Sequence, residues 1–374
     1  MDNFKKEYQK IEKDYYTENP FKALLEQKRV FNKKPLILYG CGILCRTIIS
    51  VCNDFNIKIT AICDTYKTGT YIGTELEIIT PEQLKNKYPE SNIIICSYKY
   101  ADEIYEKLIS LGYPESQIFR STLSMVSFIH PSDFIRKYYD GYEWAYNFFV
   151  DDISKKIIID RIRMYFTGVE LFRTSSAPEY FEPGIINLGE NEVFVDAGAY
   201  VGDTAEEFIK QAKYQNSGEY RHIYSFEPDD VARNKAVQNL DKYSNIDIIG
   251  KGLWSCECEL NFYSDGGNAS STFVVGGLRT LSVPVTSIDT FFTGKPDDEL
   301  PTFIKMDIEG AEKEAIIGSK NIIRLKHPKL AICVYHKPED IYELTKLIYE
   351  IEPSYQFSLQ QCTDGIYETV LYAV

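Results

Sequence analysis

The sequence predicts an α/β protein with two largely parallel sheets, a smaller one in the N-terminal third and a seven-stranded one in the C-terminal half. Three observations carry this. Short apolar runs alternate with helix-length amphipathic stretches. Glycine-bearing turns follow the first strand of each half, at Gly40-Cys41-Gly42 and between Gly198 and Gly202. The length of 374 residues, 44% hydrophobic and 14% aromatic, can fill two cores.

Residues 1–30 carry charged and aromatic side chains at a helical period. Pro35 then opens a strand, Leu36 to Tyr39, and the glycine turn leads into a helix ending near Asp54. Lys58 to Cys63, ending on Asp64, and Ile93 to Cys96 read as buried strands; Gly69 and Gly73 mark a loop. Pro81 fits the first turn of one helix, and Ala101 to Leu111 forms another. Residues 31–120 are therefore expected to form a small Rossmann-like domain. Residues 121–179 read as a helical linker whose rings, from Tyr138 to Phe149, pack buried helix faces; a sugar-stacking or dimer surface is the alternative.

Residues 180–374 repeat the alternation on a larger scale. Val193 to Val195, Ile223 to Phe226, Ile246 to Ile249, Phe303 to Met306 and Leu330 to Val334 read as buried strands, with a glycine-rich insertion after Trp254 that contains further strands. Tyr355 to Leu359 and Glu368 to Ala373, joined by a polar loop, close the chain as a hairpin.

The ligand is read from the strand ends. An apolar strand ends at Asp196 and runs through Gly198 to Gly202 into a helix, and the next strand ends on Glu227. In open α/β sheets such a turn admits a ligand close to the backbone, while the later acid accepts hydrogen bonds from ribose hydroxyls. The turn is Asp-x-Gly-x-x-x-Gly, flanked by Asp196 and Asp203. Those charges oppose a pyrophosphate and suit an ammonium and a sulfonium, which points to S-adenosylmethionine.

Five blocks in order resemble the FkbM family of S-adenosylmethionine-dependent methyltransferases: Phe194-Val-Asp196-Ala-Gly198-Ala, Ser225-Phe226-Glu227-Pro228, Gly252-Leu-Trp254-Ser255, Thr286-Ser287-Ile288-Asp289 and Lys305-Met-Asp307-Ile-Glu309-Gly310-Ala-Glu312. The resemblance covers about Glu190 to Val374. It implies the class I methyltransferase sheet and methyl transfer, usually to oxygen, on glycan precursors or related metabolites. The family more often carries Asn where this chain has Tyr200.

The cofactor is expected at Asp196, Gly198, Ala199, Tyr200, Gly202, Glu227, Gly252, Leu253, Trp254 and Asp307. Asp196 would orient the loop or meet the ammonium, with capping of the following helix as its structural alternative. Glu227 would hold the ribose diol, and residues 251–254 would lie by the adenine. Asp307 is the preferred carboxylate at the reacting end, and only one of Asp307 and Glu309 is expected to face the site. Lys305 is grouped with it as a catalytic candidate, with a salt bridge to Asp307 as its structural role. His336 follows the fifth strand and is the candidate general base, since an ordinary imidazole accepts a proton near neutral pH. Its alternative is a surface cap on the helix after Pro338; His130, His222 and His327 have weaker claims.

The remaining features set bounds. A formal charge of −14 argues against a nucleic-acid substrate. No apolar run approaches the roughly 18 residues of a membrane helix, and the polar first residues predict no signal peptide, so a cytoplasmic location is expected. Cys256 and Cys258 lack a second pair at zinc spacing, so no metal site is expected. The N-terminal Gly40-Cys41-Gly42 turn with Asp64 is expected to serve structure or dimerisation, with a nucleotide sugar as the alternative ligand. An NAD-dependent sugar oxidoreductase or epimerase and a non-catalytic nucleotide-sugar scaffold are the competing functions. The epimerase would want a Tyr-x-x-x-Lys helix, and Tyr138 and Tyr139 are followed by Tyr142 and Glu143.

Overall fold

The computed structural model describes residues 3–17, 33–54, 56–97, 100–120, 131–167, 171–263, 280–365 and 367–374. The chain divides into two compact units, residues 1–136 with 161–169, and residues 137–160 with 170–374.

In the first unit, α1 (Asn3–Thr17) is followed by β1 (Leu36–Tyr39), α2 (Ile43–Asp54), β2 (Ala61–Cys63), β3 (Gly69–Thr70), β4 (Glu77–Ile79), α3 (Pro81–Lys87), β5 (Asn92–Ile95), α4 (Ala101–Ser110), β6 (Ile118–Arg120) and α5 (Pro131–Lys137). The sheet order is β3-β4-β2-β1-β5-β6, and all pairs except β3 with β4 are parallel. Strand order reverses between β1 and β5, the arrangement of a doubly wound sheet. The loop expected around Gly69 and Gly73 contributes the short strand β3, and β4 and β6 join the three anticipated strands. Two apolar clusters fill this unit, one including Leu38, Ile48, Cys52 and Ile94, the other Ile37, Leu84, Ile93 and Leu108. The Gly40 turn is closed by its own acid: the Asp64 carboxylate accepts from the amides of Cys41 (2.9 Å), Tyr66 (2.9 Å) and Lys67 (3.0 Å).

The helices expected as a linker are α5, α6 (Tyr139–Phe148) and α7 (Asp152–Thr167), and they are shared between the units. The rings of α6 pack within the second unit. Tyr142 is fully buried, its hydroxyl donates to the Pro338 carbonyl at 2.9 Å, and Trp144 stacks on Phe148 at 4.6 Å between centroids. A Cβ on Gly141 would come within 2.4 Å of the Tyr342 ring, so α6 approaches as closely as a bare backbone allows.

The second unit continues with β7 (Val193–Ala197), α8 (Asp203–Asn216), β8 (His222–Phe226), α9 (Asp230–Leu240), β9 (Ile246–Ile249), β10 (Gly252–Leu253), β11 (Cys258–Tyr263), β12 (Thr280–Thr286), α10 (Ile288–Phe291), β13 (Phe303–Met306), α11 (Glu312–Ile317), α12 (Lys320–Lys326), β14 (Lys329–Cys333), α13 (Asp340–Ile351), β15 (Phe357–Gln361) and β16 (Thr369–Ala373). The seven-stranded sheet runs β15-β16-β14-β13-β7-β8-β9, with only β16 antiparallel to its neighbours. This is the sheet expected from the sequence. Strands β10, β12 and β11 form a small separate sheet, and most of the glycine-rich insertion, residues 264–279, lies outside the described residues. Phe194 stacks on Phe208 at 4.6 Å and meets Phe303 at 4.9 Å, which seats α8 against the sheet centre. At the sheet edge the Ser154 hydroxyl of α7 accepts the Leu359 amide of β15 at 2.8 Å.

Candidate functional site

Strand order in the large sheet reverses between β7 and β13, so the loops leaving these strands diverge and open a crevice at their carboxyl ends. Nearly every residue singled out from the sequence lies at this end.

The loop after β7 is pinned from three sides. The amides of Gly198 and Ala199 both donate to the Phe226 carbonyl at 3.0 Å. Gly198 has φ +79°, and a Cβ there would stand 1.9 Å from the Asp307 carbonyl oxygen. Only glycine can occupy this position, because β7 and the end of β13 press together there. The Tyr200 amide donates to Glu227 Oε2 at 2.8 Å, and Tyr200 itself takes a positive φ of 45°. Gly202, also at positive φ, is the residue preceding α8.

Beneath the loop lies a buried ion pair. Lys305 on β13 is the in-register neighbour of Asp196 on β7, so their side chains leave the sheet together. The ammonium lies 3.1 Å from Asp196 Oδ1, with side-chain exposures of 2% and 0%. It also donates to the carbonyls of Ala197 (3.2 Å) and Gly198 (2.9 Å). Burial pulls Lys305 toward the neutral form, but Asp196 and Asp307 outweigh it and raise its pKa. Burial likewise raises Asp196 despite the lysine beside it. Lys305 thus stands under the glycine loop and bonds its carbonyls. Its salt bridge is with Asp196; the anticipated bridge to Asp307 is not formed. Asp196 caps no helix, since the residue before α8 is Gly202; it orients the loop through Lys305.

Glu227 ends β8 at 8% exposure. Its two oxygens accept the amides of Tyr200 and Asp229, each at 2.8 Å, and burial raises its pKa in spite of these bonds. Each oxygen keeps a second lone pair, so the carboxylate can still accept from a diol. Asp229 caps α9 through the amides of Val231 and Ala232. Gly252 and Leu253 form β10, parallel to β12, and the half-buried Trp254 donates its amide to Thr286 at 2.8 Å.

The cluster at the end of β13 is richer than expected. Asp307 Oδ2 accepts from the Tyr180 hydroxyl (3.1 Å) and Oδ1 from the Tyr335 hydroxyl (3.2 Å). Strand β13 stops at Met306, and Glu309 turns back with φ +55°. Both Asp307 and Glu309 therefore approach His336, at 3.4 and 3.5 Å from Nε2, where only one was expected. On the other side of the ring, Nδ1 lies 3.2 Å from Glu312 Oε1. His336 is 8% exposed and the residue preceding α13 is Glu339, so it is neither a surface residue nor a helix cap. Burial favours neutral imidazole, but Glu312, Asp307 and Glu309 overcome it and raise its pKa to about 9. At neutral pH the ring is cationic, which corrects the expectation of an ordinary imidazole ready to accept a proton.

A second group stands nearby. Glu179, Cys333 and Glu368 bring ligand-type atoms within 4.8 Å of one another. Burial, then Glu179, raises Glu368 to about 9, and Glu368 holds φ +60°. Tyr180, Tyr335 and Glu368 were not among the expected site residues, and Glu312 was read only as part of the Lys305–Glu312 block, with no role of its own. The signal for Tyr335 was its position beside His336, immediately after β14. Of the other histidines, His222 pairs with Asp247 at 3.1 Å and His327 lies 3.3 Å from Glu352; His130 is outside the described residues.

Residues 196–362 match the family described as Methyltransferase FkbM domain, and residues 32–119 match the family described as C2185-like, N-terminal. No curated protein sequence matches the chain significantly. Among solved structures, the methyltransferase FkbM from Methylobacillus flagellatus KT is similar over 100% of this chain and 99% of its own, at 21% identity and TM-score 0.61. At that identity the likeness is one of fold. Fibrillarin from Aeropyrum pernix, solved with natively bound S-adenosyl-L-methionine, covers 52% of this chain and 70% of its own at 11% identity and TM-score 0.32. A SAM-dependent methyltransferase from Aquifex aeolicus covers 50% and 84% at 15% identity and TM-score 0.27. The glycine loop, the Glu227 strand end and the Asp307 turn thus fall within the stretch, residues 196–362, that matches the FkbM methyltransferase domain.

Proposed function

We propose that this domain transfers a methyl group from S-adenosylmethionine to a hydroxyl of a small-molecule acceptor, a sugar or glycan precursor being the favoured class, in the cytoplasm. The observation that carries the reading is Glu227: a nearly buried carboxylate that fixes the glycine loop through the Tyr200 amide while keeping lone pairs for a ribose diol. The cofactor, when bound, supplies an activated methyl group on a sulfonium. The protein's residues do the rest. Lys305 and Asp196 hold the loop carbonyls, the loop amides and residues 251–254 frame the nucleoside, and Asp307 with its two tyrosines orients the reacting end. The acceptor proton leaves beside the Asp307–His336 cluster.

Calorimetric titration with S-adenosylhomocysteine tests this reading, run beside NAD and a nucleotide-sugar panel. Micromolar binding that weakens at least tenfold in Glu227→Gln is expected. Binding of NAD or a nucleotide sugar with no binding of S-adenosylhomocysteine would move the function to the N-terminal sheet.

A further inference from the structure

Three carboxylates converge on one buried imidazole where β13 and β14 end. Asp307, Glu312 and His336 offer ligand-type atoms that all lie within 4.8 Å of one another, and Glu309 reaches the same ring from the more open side. The cationic ring offsets one of these three charges, and the nearby lysines do not balance the rest. Lys305 is engaged by Asp196 and the loop carbonyls, and the Lys337 ammonium faces the Gly310 carbonyl at 2.5 Å.

The imidazole itself points to a ligand. The His336 side chain is 8% exposed, and neither ring nitrogen makes a directed hydrogen bond, although carboxylates lie at 3.2 to 3.5 Å. Glu312 is 1% exposed and its Oε2 also has no hydrogen-bond partner. Buried polar atoms left in this state carry a cost that an ion would remove. The surroundings resemble a metal's outer shell: the Tyr180 and Tyr335 hydroxyls fix the Asp307 carboxylate, and the Ile308 amide donates to Glu312 Oε1 at 2.8 Å.

We infer that Asp307, Glu312 and His336 bind a divalent cation, in place of the metal-free site expected from sequence. One imidazole with carboxylates suits manganese, iron or zinc better than a thiolate-seeking ion. Its role rests on the methyl-transfer reading, while the site itself does not. Positive charge there favours ionisation of an acceptor hydroxyl: the O–H bond breaks, its electron pair stays on oxygen, and the proton passes to water. As the ion binds, the ring releases its extra proton to water, and His336 then serves as a ligand, not as the proton acceptor.

The test uses the full-length protein stripped with EDTA and titrated with Mn²⁺ alone, free Mn²⁺ being read by electron paramagnetic resonance, with Zn²⁺ in a parallel calorimetric titration. One Mn²⁺ per chain at micromolar affinity is expected, weakened at least tenfold in both His336→Gln and Asp307→Asn, with circular dichroism reporting that each variant is folded. Absence of saturable binding of either ion overturns the inference, as does undiminished binding in both folded variants. S-adenosylhomocysteine titrated into the same samples separates the two readings: its failure to bind counts against the methyltransferase proposal, whereas loss of Mn²⁺ binding alone counts against this site.

Discussion

Replacing Lys305 by methionine should destabilise the second unit mainly by stranding Asp196. The carboxylate is wholly buried, and its charge is offset by an ammonium at 3.1 Å. Without that partner it must take up a proton to remain in place. About three pH units separate pH 7 from the ordinary aspartate value of 3.8, and at ~1.4 kcal/mol per unit the cost is about 4 kcal/mol. That agrees with the roughly 3–5 kcal/mol typical of a buried pair broken on one side. For a unit of this size it corresponds to a melting temperature lower by about 10 °C. The sign of the pH dependence follows from the stranded carboxyl, whose folded pKa lies above its unfolded value. Its penalty is absent below about pH 4 and grows as pH rises. Melting curves of wild type and Lys305→Met at pH 5 and pH 8 should therefore diverge at the higher pH, and adding Asp196→Asn should recover part of the loss. An equal deficit at both pH values would refute the idea that a stranded charge, and not lost packing, dominates.

Gly198→Ala should destabilise by about 3 kcal/mol or more, since the left-handed backbone alone costs roughly 1–2 kcal/mol and the new Cβ would stand 1.9 Å from the Asp307 carbonyl oxygen. Urea unfolding within 1 kcal/mol of wild type would contradict the close approach. Glu368→Gln should stabilise by about 1–3 kcal/mol at pH 8, because burial and Glu179 force this carboxyl to hold a proton up to about pH 9. That gain should vanish near pH 4.5, where the unfolded chain is also protonated; a lower melting temperature than wild type at both pH values would count against it.

The sheets were legible because their buried parallel strands are unbroken apolar runs such as Leu36–Tyr39 and Val193–Val195. The two-residue strand β3 and the three-residue β4 and β6 were not, since two or three residues carry no period. The glycine turn and Glu227 could be read because both stand on strand ends. The partner of Lys305 could not. Sequence proximity suggested Asp307, but strand register sets Lys305 opposite Asp196, which lies far away along the chain. The protonation of His336 was hidden for a similar reason. Its pKa is set by Glu312, brought beside it by the turn into α11, and by Glu309, which faces it only because β13 ends three residues earlier.

The packing of α6 and the first half of α7 bears on how this protein can be cut. Strand β15 borders the large sheet, and an uncovered border strand invites pairing with other chains. Ser154 occupies the Leu359 amide on that strand, while Gly141 and Tyr142 cover Tyr342 and the Pro338 carbonyl. A fragment starting at residue 180, where the sequence places the domain boundary, would lose all three contacts and leave the Leu359 amide on that border open to solvent. A fragment that retains residues 137–160 keeps that amide paired, so solubility on dilution becomes a readout of where the second unit can be cut.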